Sequence, residues 1–468
     1  MENETTLTAD YLVIGSGAMG MAFTDVLIQE TDASVVMVDR HHRPGGHWND
    51  SYAYVRLHQP SSFYGVNSRH LGSDAVDQTG WNKGLHELAS GAEVCNYFDQ
   101  IMQQQFLPSG RVQYFPMCDY LGESQFRSLV SGREYAISAG CKVADATYMD
   151  VVVPAMRTPP FSVDAGIRCI PLNDLTRIDA AARHYVVIGG GKTAMDACLW
   201  LLENSTDPGA ISWVMPRDSW ILDRANIQPG ELNAERILSG AAETMAAVAK
   251  AESVEELFDE LEATGQLMRL DANVRPTMFR CATVTETELE ALRSIHNIIR
   301  MGRVTALTGG EIELEHGTVA VENDSLFIDC AGDGLKRQPA VPVFQENSIT
   351  LQSVRTCQQV FSAAFIGHAE ASYEDEQQKN ELCAVVPHPN SDIDWLRNRF
   401  ADNVNTFRWN QDPKLMDWLR ASRLDPFNQP SIGGDPPNGD DAERIGEMMR
   451  NAPLAIQNLQ QMLGFGYP

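Results

Sequence analysis

The chain has 468 residues, with 36 basic and 63 acidic side chains, a formal charge of −27 at pH 7 and 43% hydrophobic residues. This composition excludes a fibrous or disordered chain, and the charge excludes general binding to nucleic acid or anionic membrane, because both present phosphate. At about 150 residues per domain, the length predicts two or three domains, each with its own core.

The N-terminal segment, Met1 to Asp10, is acidic and polar and shows no basic or apolar leader. No run of 18 apolar residues occurs, so no membrane-spanning helix is expected. The expectation is a soluble, cytoplasmic protein without a membrane partner.

Tyr11 to Ile14, preceded by Asp10, is a short apolar run of the kind that forms a buried parallel strand. It leads into Gly15-Ser-Gly17-Ala18-Met19-Gly20, then a helical stretch from Met21 to Glu30, then a β-rich run from Ser34 to Val38 ending in Asp39. This is strand, G-x-G-x-x-G, helix, strand and acid, with Asp39 nineteen positions beyond Gly20. Gly15 permits the tight turn, Gly17 lets a pyrophosphate approach the backbone, and Gly20 lets helix and sheet pack closely. The helix N-terminus around Ala18 and Met19 offers free N–H groups to phosphate, and Asp39 can accept from both ribose hydroxyls. Arg40 follows the acid, and Gly45-Gly46-His47-Trp48 then supplies paired glycines suited to a chain that hugs a cofactor. Trp48 serves equally well as a core residue.

A second copy of the pattern begins at His184-Tyr-Val-Val-Ile188 and continues into Gly189-Gly-Gly191-Lys192-Thr193-Ala194, with a helix expected over Lys192–Glu203. This is G-x-G-x-x-A, in which alanine takes the place of the helix-packing glycine. The Gly-Lys-Thr triplet lacks the earlier glycine of an ATP-binding P-loop, because that position is Val186. The following strand, Ile211–Met215, ends in Pro216-Arg217 where the first copy has an acid, and a cation there suits a ribose 2′-phosphate. Arg224 and Lys192 are candidates for a second cation.

The nine cysteines, at 95, 118, 141, 169, 198, 281, 330, 357 and 383, include no C-x-x-C pair. The odd count predicts reduced thiols, with no disulfide scaffold, no zinc or other metal site and no dithiol relay.

The two glycine motifs and the Gly-Gly-x-Trp element resemble the flavin-dependent monooxygenase superfamily, proteins with two dinucleotide-binding domains. The resemblance implies an α/β chain with two Rossmann-like dinucleotide-binding domains, the NADPH domain inserted in the FAD domain, and a helical C-terminal segment. The implied boundaries are 1–180 for the first part of the FAD domain and 181–329 for the NADPH domain, with a helical insertion at 225–300. The second part of the FAD domain is then 330–400, and a helical tail spans 401–468.

By the same resemblance FAD lies on Gly15, Gly17, Ala18, Met19, Gly20, Asp39, Arg40, His47 and Trp48, with Val143 giving a backbone contact to the adenine. NADPH lies on Gly189, Gly191, Lys192, Thr193 and Arg217. Gly332, after the strand that begins near Asp324, resembles the return from the NADPH domain. Gly367 in Ala364-Phe-Ile-Gly367-His368 resembles the end of the last FAD strand. His58 and Gln59 fall where the family's chain passes the flavin ring and meets the nicotinamide, and are the catalytic candidates.

The implied reaction takes hydride from NADPH and inserts one atom of O₂ into a small organic substrate through a flavin hydroperoxide, with the hard chemistry carried by the cofactor. Alternatives are a flavin reductase or dehydrogenase without oxygen insertion, and a non-catalytic redox sensor. The family fingerprint F-x-G-x-x-x-H is missing, because Phe161–Pro171 has neither its glycine nor its histidine in register. A homodimer is common among such proteins.

Overall fold

The computed structural model describes residues 5–230, 232–332, 337–427 and 439–464. The first apolar run forms a strand at Tyr11–Ile14, and the second forms Val35–Asp39, buried along its whole length. Strands buried on both faces read as continuous hydrophobic runs, which is why neither alternates. The two pair in parallel within a six-stranded sheet. Its order is Phe344–Gln345, Ser348–Thr350, Lys142–Asp145, Tyr11–Ile14, Val35–Asp39, Val112–Pro116. Helix Ala18–Glu30 crosses between the central strands.

A second sheet has the order Cys169–Pro171, Leu326–Asp329, Tyr185–Ile188, Ile211–Val214, Asn297–Ile299, and every pair in it is parallel. Its first crossover helix is Lys192–Glu203, with the bounds expected from its apolar face. The chain thus builds most of one Rossmann-like sheet, completes a second, and returns to the first at Phe344. The two largest buried clusters reflect this, one around Phe23, Phe98 and Phe361, the other around Trp213, Cys198 and Ile328. Cys169–Pro171, sequentially before 181, belongs to the second sheet.

Three expectations are corrected. The 225–300 insertion does carry helices Ala234–Lys250, Val254–Ala263 and Glu286–Arg293. It also contains the strand Met278–Val284, parallel to Ser219–Asp223. A register shift at Trp220/Ile221 breaks the period-two alternation that would have marked this pair in sequence.

Gly367 does not end a strand. It lies inside helix Gln359–Ser372, and a Cβ there would stand 3.0 Å from the carbonyl oxygen of Phe23. This helix is buried on nearly all sides, so its apolar run shows no 3.6-residue period, and short buried runs of either type look alike. The last strand of the first sheet on this side is Ser348–Thr350.

The cysteines are the third correction. Cys281 and Cys357 are joined in a disulfide with their Cα atoms 6.8 Å apart. Seventy-six residues separate them, so no local spacing could signal the pair.

In the C-terminal part, helix Asp392–Trp409 starts before the expected boundary, and Pro413–Ala421 packs on the first core. Helix Gly439–Leu463 lies against Ala234–Lys250, where the Asn458 amide donates to the carbonyls of Val248 and Ala251. A linker is also expected from the sequence Asp435-Pro-Pro-Asn-Gly-Asp440; its residues 435–438 lie outside the described residues, while Gly439 and Asp440 begin the last helix.

Candidate functional site

Each glycine-rich turn places a bare helix N-terminus at the end of a central strand. Helix Ala18–Glu30 has Gly17 as its N-cap and helix Lys192–Glu203 has Gly191; neither has a side-chain cap or an acid in its first turn. The helices starting after Ser90, Ser253, Thr285 and Ser391 all have their first turns closed by those side chains. The unpaired N–H groups at Gly17 and Gly191 are therefore open to an anion.

The first turn is held by close contacts. A Cβ on Gly20 would lie 2.0 Å from the Gly15 carbonyl oxygen, and one on Gly46 would lie 2.9 Å from the Gly17 Cα. The Gly-Gly-His-Trp element thus runs directly against the first glycine-rich turn. At the second turn, Gly189 has φ +135° and a Cβ there would meet the Cys330 carbonyl oxygen at 2.9 Å, whereas Gly191 faces open space.

Asp39 ends the strand that follows the first glycine-rich turn. One carboxylate oxygen accepts from the Ser16 hydroxyl at 2.9 Å, and the other accepts from the His41 backbone N–H at 2.8 Å. Burial pushes this carboxyl up, but the hydrogen bonds from His41 and Ser16 outweigh it and hold the pKa below the usual value. His41 lies between Asp39, at 3.0 Å, and Asp50, at 2.6 Å. The bond to Asp39 raises the imidazole to about 9, against burial and with help from Asp50. Arg40 is exposed and pairs with Asp119 at 2.8 Å.

One cavity of about 1150 Å³ joins these features. Gly15, Gly17, Ala18, Met19, Asp39, Arg40, His47, Trp48, His58, Gln59 and Thr193 all line it, so the structure brings together most of the residues expected from sequence. Trp48 donates its indole N–H to the Tyr64 hydroxyl at 2.7 Å, and His47 stacks on it with ring centroids 5.5 Å apart. Burial lowers His47 to about 4. His58 projects into the cavity, where the enclosing protein, Lys192 and Arg224 hold its pKa below the usual imidazole range. Both shifts favour the neutral imidazole over the cation.

The second site departs from expectation in its cations. Lys192 pairs with Asp196 one turn on, and Asp196 also accepts from Tyr52 of the first unit at 2.5 Å. Arg224 is no phosphate ligand. It is buried, paired with Glu288 at 2.9 Å, and its Nε donates to the His58 carbonyl at 2.9 Å. Arg217 donates to the carbonyl of Asn390 at 2.9 Å and to the Thr277 hydroxyl at 3.3 Å. Burial lowers its pKa, followed by the positive charges of Arg280 and Arg303, with Asp392 and Asp394 acting in the opposite sense. Like charges gathered in this way favour an anion.

Eight expected contacts do not line the cavity: Gly20, Val143, Gly189, Gly191, Lys192, Arg217, Gly332 and Gly367. Val143 is in mid-strand with its N–H donated to Asn347, so that donor is spent within the sheet. Gly332 packs near Pro154, and Gly367 is in the helix described above. Sequence reading missed Cys118, Asp119 and Tyr120 beside Arg40, and the loop from Arg355 to Gln359. Position alone could have indicated both, because ligands bind outside the carboxyl ends of parallel strands, and these segments follow Val112–Pro116 and Ser348–Thr350. Arg399, over the Trp395 ring at 5.3 Å, also reaches the cavity from helix Asp392–Trp409. Among the described residues no group of three metal-ligating side chains occurs, and no helix is long and apolar enough to cross a membrane.

Residues 13–63 match the NAD(P)-binding Rossmann-like domain family. The chain is 52% identical over 419 residues to the uncharacterized proteins Rv2000 of Mycobacterium tuberculosis and Mb2023 of Mycobacterium bovis, covering 90% of this chain and 78% of each relative. Among solved structures, it is similar to a flavin-containing monooxygenase from Stenotrophomonas maltophilia at 15% identity and a TM-score of 0.47, over 81% of this chain and 99% of that one. It is similar to an oxidized steroid monooxygenase bound to NADP at 11% identity and a TM-score of 0.48, over 97% and 99% respectively.

Proposed function

The chain belongs to one family with the mycobacterial proteins Rv2000 and Mb2023, and we propose that it is an FAD- and NADPH-dependent oxidoreductase, in its full reaction a monooxygenase acting on a small organic substrate with O₂. The observation that carries this reading is one cavity lined both by the first glycine-rich turn, at Gly15 and Gly17, and by Thr193 in the first turn of the helix that follows the second. Two dinucleotides extended from those turns would meet near His58 and Gln59.

The residues present fit such cofactors. Gly17 and Gly46 leave the close approach that a pyrophosphate needs, the two uncapped helix N-termini face the phosphates, and Asp39 takes the ribose. When bound, FAD would accept hydride from NADPH and activate O₂ for transfer of one oxygen atom. The chain's own groups would bind and orient. Trp48, fixed by Tyr64, would wall the site, while neutral His58 and Gln59 would present hydrogen bonds at the point of hydride transfer without adding charge. Arg217, backed by Arg280 and Arg303, would select the 2′-phosphate of NADPH.

The boundaries 1–180, 181–329, 330–400 and 401–468 are retained as the proposed domain plan, with Cys169–Pro171 contributing to the second unit. The substrate would occupy the apolar end of the cavity, where Ile237, Met245, Leu267 and Phe279 line the wall.

Purified protein should be yellow, should bleach on anaerobic addition of NADPH, and should recover its colour in air through a resolved intermediate spectral phase. Absence of bound flavin would refute the proposal. Bleaching with a single-phase return of colour would leave a reductase in place of a monooxygenase.

A further inference from the structure

The fold assembles a cysteine pair that the sequence conceals. Cys281 belongs to strand Met278–Val284 of the inserted unit, and Cys357 to the loop between Ser348–Thr350 and helix Gln359–Ser372 of the first. Both residues line the cavity that holds Gly15, Trp48, His58 and Gln59. Gln358, next to Cys357 in the chain, exchanges amide hydrogen bonds with Gln59, so the bridge adjoins the segment proposed to meet the nicotinamide.

Two further observations separate this pair from an ordinary structural crosslink. Cys281 and Cys357 both hold left-handed backbone, with φ 53° and 51°, a conformation that side-chain-bearing residues adopt rarely and that clusters at functional sites. Both are only partly buried, on the cavity side, whereas six of the other seven cysteines are buried. Burial pushes the thiol of Cys118, also on the cavity wall, above its ordinary pKa, which makes it a poor nucleophile.

We propose that Cys281–Cys357 is a redox-active disulfide that takes up the electron pair delivered to the cavity by reduced nicotinamide, a second acceptor beside oxygen. The S–S bond receives two electrons and one proton, carried in as the hydride of NADPH, and a second proton from water. It breaks to two thiols as the nicotinamide becomes oxidised: NADPH + H⁺ + disulfide gives NADP⁺ + dithiol. This rests on the proposed flavin and NADPH sites, through which the hydride would pass. Because the bridge ties the inserted unit to the first, its opening also frees one wall of the cavity from the other.

The test counts thiols and hydride equivalents in the whole protein. Protein carrying its flavin is oxidised with diamide, desalted, titrated anaerobically with NADPH, alkylated with a maleimide and digested for mass spectrometry. The expected result is uptake of two equivalents per chain, one for the flavin and one for the bridge, with new label at Cys281 and Cys357 alone. Cys357→Ser should take up one equivalent and gain no label. Bleaching of the flavin with one equivalent consumed and both cysteines still bridged in the unsubstituted protein overturns the proposal, whatever the variant does. Failure to bleach at all instead strikes at the cofactor reading, and the two failures are thereby distinguished.

Discussion

Gln59 and Gln358 exchange side-chain amide hydrogen bonds across 299 residues of sequence, at 3.3 Å in one direction and 3.1 Å in the other. Each amide satisfies the other on the cavity wall, and together they join the segment after the first glycine motif to the loop after the last parallel strand. The pair holds the middle of the cavity in one shape.

Removing one amide leaves its partner, buried Gln358 or half-buried Gln59, without a mate, which costs more than removing both. Gln59→Ala and Gln358→Ala should each destabilise by about 1–2 kcal/mol, and the double variant by less than the sum. A double-mutant cycle from urea unfolding measures the coupling, and additive losses would show that the two amides act separately.

The glycines of the second turn should separate folding from binding. Gly191→Ala adds a Cβ that meets nothing within 4 Å, at an ordinary φ of −96°. It should melt within a few degrees of the parent yet bind NADPH roughly tenfold more weakly, because the methyl group enters the space left for phosphate. Gly189→Ala forces φ +135° on a residue with a side chain, against the Cys330 carbonyl. It should lose about 2–4 kcal/mol of stability. Thermal melts with calorimetric titration of NADPH distinguish the two, and a weakened fold in Gly191→Ala would contradict the open cradle.

Arg217→Ala should raise the KM for NADPH by about tenfold or more while changing that for NADH less than twofold, since only the former carries the 2′-phosphate. Steady-state kinetics with both coenzymes decide this. An equal change in both would assign Arg217 to holding Thr277 and Asn390 in place.

His41 should give the fold a pH dependence on the alkaline side. Its folded pKa, raised to about 9 from the ordinary 6.5, means that its stabilising contribution is complete below about pH 6.5 and is lost as pH rises through 9. The side chain is partly open to solvent, so the contribution is on the order of 1 kcal/mol after screening. His41→Gln, which cannot titrate, should flatten stability across this window. Denaturant midpoints between pH 6 and 10 provide the measurement, and parallel curves for the two proteins would remove His41 from the account.

Much of the nucleotide-binding framework was legible in the sequence, because its determinants are local. Strand, glycine turn and helix lie within about twenty residues of each other at Tyr11–Glu30 and again at Tyr185–Glu203, and steric demands at Gly15, Gly17 and Gly20 act between near neighbours. Asp39 could be found for the same reason, at the end of the next strand. The Gln359–Ser372 helix could not be told from a strand, because burial on all sides erases the periodicity that separates the two.

What the tertiary structure alone decided are the relations between distant segments. Arg224 reads in sequence as a candidate phosphate ligand, but Glu288 and the His58 carbonyl hold it inside the fold. The loop at Arg355–Gln359 carries no motif and becomes part of the cavity only because a parallel sheet brings the ends of its strands to one edge. Cys281 and Cys357, without a C-x-x-C spacing, meet because one unit is inserted into the other. Short-range sterics can be read along a chain, whereas a bond across 76 residues depends on how the two sheets are placed, and that placement is a property of the packed core.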